Sequence, residues 1–193
     1  MDTQAAARRM IASRGWTVVG EPPADPVAIV IAAPHTSNWD FAVFLALSRA
    51  TGLAPHFLGK KELFRGPMGP LMRRLGGVSI DRSNAAGIVD EVVARAARAE
   101  RFQLVIAAEG TRSQQRYWKS GFYRIATQAA IPICLGFCDG PTRTMGFGPT
   151  FHPSGDVRAD MDLVRAFYAD KQGLNPARRT EPRLREEDEP ALR

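Results

Sequence analysis

The chain has 193 residues, 45% of them apolar, enough for one domain with a sizeable core. No stretch approaches the ~20 consecutive apolar residues of a spanning helix, and the opening Met1-Asp2-Thr3-Gln4 lacks the basic start and apolar core of a secretory signal. A net charge of +6 and a pI near 9.9 imply an anionic partner. There is no zinc-ligand spacing, RNA-binding aromatic signature or helix-turn-helix cue, so no nucleic-acid partner is expected; an anionic membrane surface or a phosphorylated small molecule remains.

Helices and strands alternate along the chain. The pattern predicts a helix over 4–14 and a strand over 16–20. The run Val27 to Ala33 (VAIVIAA) is apolar and rich in β-branched residues, the mark of a buried parallel strand. Pro34 ends it, and a helix is predicted over 40–50, capped by Ser37 or Asn38. Short strands are expected at 56–59 and 77–80, with a short helix at 68–75 between them. Residues 85–100 form an amphipathic helix, with Ile88, Val92, Ala96 and Ala99 on one side. A strand at 103–108, a helix at 117–130, a strand at 133–137, an edge strand at 144–147 and a last helix at 157–170 complete the order. This is an α/β chain with a mostly parallel sheet flanked by helices in a single domain over 1–175. Residues 176–193 are rich in charge and Pro and read as a mobile tail. Cys134 and Cys138 share one face of a strand, too far apart for a disulfide; they read as buried thiols in a reducing compartment, with no metal site.

Two segments carry chemistry. The first is Pro34-His35-Thr36-Ser37-Asn38-Trp39-Asp40. A His and an Asp five residues apart are a weak signal alone, but here His35 falls at the carboxyl end of a strand, where open α/β sheets bind ligands. The strand–turn–helix break lets Asp40 fold back to the imidazole, which a continuous helix does not allow at this spacing. The second is Glu109-Gly110-Thr111-Arg112-Ser113, also after an apolar run. A third feature lies between them: Lys60, Lys61, Arg65, Arg73, Arg74 and Arg82 are interleaved with Leu63, Phe64, Met68, Leu71, Met72 and Leu75. That basic amphipathic pattern fits a membrane surface as well as it fits a core helix with a solvated face.

His35 with Asp40, then Gly77-Val78-Ser79-Ile80-Asp81-Arg82, then Glu109-Gly110-Thr111-Arg112, then Ile131-Pro132-Ile133 come in the order of the motif blocks of the glycerolipid acyltransferases. From about Ile29 to about Phe137 the chain resembles that family, whose best-known bacterial members acylate 1-acylglycerol-3-phosphate. It departs from the family pattern at Pro34, where Asn is usual, and at Ala107-Ala108, where Phe-Pro is usual. The resemblance implies a glycerolipid-acyltransferase-like fold and no bound cofactor. It implies acyl-coenzyme A or acyl carrier protein as donor and a lysophospholipid-type acceptor. His35 would be the general base and Asp40 its orienting carboxylate. Glu109, Gly110, Thr111 and Arg112, with Arg82, would bind the acceptor's glycerol-phosphate, Glu109 orienting an Arg or a hydroxyl. Backbone N–H groups near Gly110, or at the helix start after His35, would hold the oxyanion. Ser37 lacks a nucleophile elbow and reads as a turn residue. The expected location is cytoplasmic or peripheral on the inner face of the cell membrane. A non-catalytic acyl-binding protein and an acyltransferase for another lysolipid or alcohol stay open.

Overall fold

The computed structural model describes residues 2–80 and 85–188. Seven strands form one sheet: β1 (Thr17–Val19), β2 (Val27–Ala33), β3 (Pro55–Lys60), β4 (Gly77–Ile80), β5 (Phe102–Ile106), β6 (Ile133–Asp139) and β7 (Thr144–Phe151), in the order β1-β7-β6-β2-β5-β3-β4. All pairings are parallel except β6 with β7. β2 sits at the centre between β5 and β6, which is why its apolar residues are buried on both faces.

The helices divide between the faces. Val30, Val105 and Cys134 stand side by side in the β5–β2–β6 register and pack under α1 (Thr3–Ala12) and α2 (Asp40–Thr51), through Ala7, Ile11, Leu47 and Ala50. Ile29, Ile31 and Leu104 point the other way. They meet Val89 and Val92 of α4 (Ala85–Ala96), Phe122 and Ile125 of α5 (Gly121–Ala129) and Met161 and Val164 of α6 (Val157–Tyr168). Alternation along each strand thus feeds two apolar layers. A 3-10 turn (Lys61–Phe64) and α3 (Met68–Arg74) connect β3 to β4.

Three differences from the sequence expectation bear on how the domain is assembled. The strand from Thr144 is eight residues long and internal, because β1 pairs on its outer side. The helix expected from 117 begins at Gly121, and Trp118 before it is buried. The segment expected to be a mobile tail is docked as far as Asp188. Leu184 is fully buried, the Arg183 carbonyl accepts from the Trp118 N–H at 2.7 Å, and Thr180 Oγ1 accepts from the Gln115 N–H at 3.0 Å. A few apolar residues spaced through a charged stretch are enough to pin it to a core already formed.

Candidate active site

β2 and β5 are parallel neighbours, with Ile31 opposite Ile106. The loops that follow them therefore leave the sheet side by side, bringing residues 34–37 against 108–110. Asp40 opens α2 and turns back over the first loop. Its Oδ2 accepts from the Thr36 and Ser37 N–H groups, both at 2.8 Å, and lies 3.0 Å from His35 Nδ1. The Asp40 Oδ1 is buried without a hydrogen-bond partner. A carboxylate at Nδ1 keeps the proton there and leaves Nε2 as the basic nitrogen. Ser37 Oγ accepts from the Trp39 N–H at 3.1 Å, a turn role, and Trp39 rather than Ser37 or Asn38 is the α2 N-cap.

Glu109 makes a contact that the sequence does not announce. It is 1% exposed, and both its oxygens accept from the His35 N–H, at 2.9 and 3.0 Å. It holds the His35 loop from beneath. Burial raises its pKa to about 7, against the lowering effect of the His35 N–H bond. A third brace comes from beyond α6, where the Asn175 N–H donates to the buried Thr36 Oγ1 at 2.9 Å.

The imidazole opens into a cleft of about 870 Å³ across the carboxyl ends of the strands. On the α2 side it is apolar: Phe41, Phe44 and Leu47 with Phe57 of β3. On the α4 and α5 side, Ile88, Val89, Phe122 and Ile125 line it together with cations. Arg112 and Lys119 of the loop after β5 line it with Arg124 of α5, and among the described residues none of the three has an ion-pair partner. Ser120 and Gly121, at the α5 N-terminus, line it too, and no side chain caps that end. Gly110 has φ +71°, and a Cβ there would lie 2.9 Å from Lys119 Cγ, so glycine lets the Lys119 stem pack against the loop. Thr111 lies on the cleft wall. Arg82 lies outside the described residues.

Sequence reasoning missed Arg124, which reads as one cation on the wet face of an amphipathic helix. The N–H groups of His35, Thr36 and Ser37 serve carboxylates, and that of Gly110 donates to the Ala107 carbonyl. Neither Cys134 nor Cys138 forms a disulfide, and burial raises both thiol pKa values. Among the described residues no cluster of metal-ligating side chains occurs, and no helix is long and apolar enough to cross a membrane.

Residues 17–134 match the acyltransferase family model, more than half of the chain. The protein therefore belongs to the acyltransferase family. Its fold is similar to the crystal structure of the 1-acyl-sn-glycerophosphate (LPA) acyltransferase PlsC from Thermotoga maritima, with a TM-score of 0.58 at 20% identity, over 84% of this chain and 74% of that one. No curated protein sequence matches the chain.

Proposed function

We propose that the protein moves a fatty acyl group from an acyl thioester to a hydroxyl of a lysophosphatidate-like acceptor. The observation that carries the reading is one constellation: a His35–Asp40 pair at 3.0 Å, at the mouth of a largely apolar cleft that also holds three cations without ion-pair partners among the described residues. The acyl chain lies along Phe41, Phe44, Leu47 and Phe57. The acceptor phosphate sits with Arg112, Lys119 and Arg124 at the open α5 N-terminus, where cations and unpaired N–H groups favour an anion. Acyl-coenzyme A and acyl carrier protein both supply the thioester required.

His35 Nε2 takes the acceptor's hydroxyl proton as its oxygen attacks the thioester carbonyl. Asp40 holds the ring and stabilises the imidazolium that forms. The tetrahedral intermediate collapses with cleavage of the C–S bond, and the imidazolium returns the proton to the departing thiolate. Glu109 keeps His35 at the right height without touching either substrate.

Free-thiol release from acyl-coenzyme A or acyl carrier protein, with and without lysophosphatidate, tests the reading. Wild type should release thiol only with acceptor, and His35→Ala should lose that release. Acceptor-independent release lost in the variant would mean a thioesterase or another acceptor. No release from either donor would support an acyl-binding protein.

A further inference from the structure

Residues 60–76 carry five cations and one carboxylate, Glu62. The segment is fastened to the sheet by Phe64, whose ring lies on a floor of Gly59 and Gly77: a Cβ at either would fall within 3 Å of it. Phe64 and Met72 are buried and Leu75 is half-buried, while the other large apolar side chains of the segment face out. Leu63, Met68 and Leu71 are 48%, 51% and 47% exposed. Met68, Leu71 and Leu75 follow one another at the i, i+3, i+7 spacing of a single helix face. Around them stand Lys60, Arg65 and Arg74, exposed and, among the described residues, without an ion-pair partner, while Arg73 stacks on Phe64.

The rest of the same sheet face extends this surface. Phe41 of α2 packs edge-on against Phe57, two residues before Gly59 on β3, so the start of α2 and the Phe64 turn share one side of the sheet. There Trp39 is 73% exposed, and Phe41 is on the wall of the cleft. Lys60 lines that cleft as well. By contrast α1, also amphipathic, spends its apolar residues Ala7 and Ile11 on the domain.

We propose that Leu63, Met68 and Leu71 insert at the surface of an anionic lipid bilayer while Lys60, Arg65 and Arg74 meet its phosphates, with the cleft mouth facing the lipid. Charge complementarity decides the occupant. An apolar patch ringed by unpaired cations fits acyl chains below a layer of phosphates, and a second copy would set the same cations against each other. The proposal concerns the surface alone and does not depend on the acceptor assigned above.

Sedimentation with vesicles that contain neither lysolipid nor thioester separates docking from chemistry. Wild type should bind vesicles of equimolar phosphatidylglycerol and phosphatidylcholine at least tenfold more tightly than phosphatidylcholine alone, and salt should weaken binding. Arg65→Gln/Arg74→Gln and Leu63→Ser/Met68→Ser/Leu71→Ser should each weaken it about tenfold or more, with the thermal midpoint unchanged. Met68→Trp, a single exposed change, should shift its emission to the blue when anionic vesicles are added. Equal binding to both vesicles, wild-type binding by both multiple variants, or no emission shift would overturn the proposal. So would a dimer that the triple Ser variant dissolves while vesicles stay unbound.

Discussion

At Glu109, a carboxyl group 1% exposed accepts a backbone N–H through both oxygens, and its pKa stands near 7 instead of the ordinary 4.5. Folding therefore binds a proton between those two values. Stability from this group falls as pH rises from about 4.5 to about 7 and is flat above, a loss on the order of 3 kcal/mol by pH 8. Glu109→Gln retains an acceptor for the His35 N–H but has no proton to lose. Urea unfolding across this pH range should show wild type losing stability relative to Glu109→Gln as pH rises; parallel curves would contradict the shift. In catalysis Glu109→Gln should retain most of kcat. Glu109→Ala, which strands that N–H, should lower kcat about ten- to a hundredfold with little change in KM. Asp40→Asn should lower kcat by up to ~10⁴, the cost of the equivalent change in serine proteases, and acyl-transfer kinetics would read it as a kcat effect. The His35–Asp40 pair was legible in the sequence because its geometry is local: a strand end, a turn and a helix start. The Glu109 contact was not, because it joins residues 74 apart and exists only where β2 lies beside β5.

Elements were legible wherever burial is repeated at a fixed period. The run VAIVIAA marks β2, and Ile88, Val92 and Ala96 mark the helix after β4, which ends at Ala96 before the Ala99 that the pattern included. What local pattern does not carry is pairing. β7 looked like an edge because nothing near it in sequence says that Thr17 to Val19, some hundred residues earlier, will add outside it. The glycine floor under Phe64 is another such case, since Gly59 and Gly77 matter only once β3 and β4 are neighbours. A Cβ at Gly59 would lie 2.7 Å from Phe64 Cε2. Gly59→Ala should therefore displace the ring and destabilise the protein by about 1–3 kcal/mol. Chemical denaturation would check it, and a loss under 0.5 kcal/mol would mean that the ring has room to slide.

For the molecule as a whole, the segment after α6 bears most on how far the domain extends. Composition sets Pro176 to Asp188 apart from the rest of the chain, yet its contacts reach the site's own supports. Thr180 and Arg183 hold the stretch 115–118 that leads to Lys119 in the cleft. Just before it, Asn175 holds Thr36 beside the imidazole. A charged residue of this segment also pairs back to α6: Arg165 Nη1 lies 2.7 Å from Glu187 Oε2. Leu184 is the apolar pin, 0% exposed within the larger core cluster. A side chain so placed leaves a cavity when shortened, so Leu184→Ala should cost about 2–5 kcal/mol, far beyond the ~0.5 kcal/mol of a change in a mobile tail. Urea unfolding should show the midpoint fall with an unchanged slope, because the same surface unfolds in both proteins. If the segment also props the loop through Trp118, thiol release by Leu184→Ala should lose acceptor affinity before kcat, because Lys119 follows Trp118 directly while His35 is held by Asp40, Glu109 and Thr36 from other elements. A midpoint within error of wild type would return residues 176–188 to the status their composition suggests.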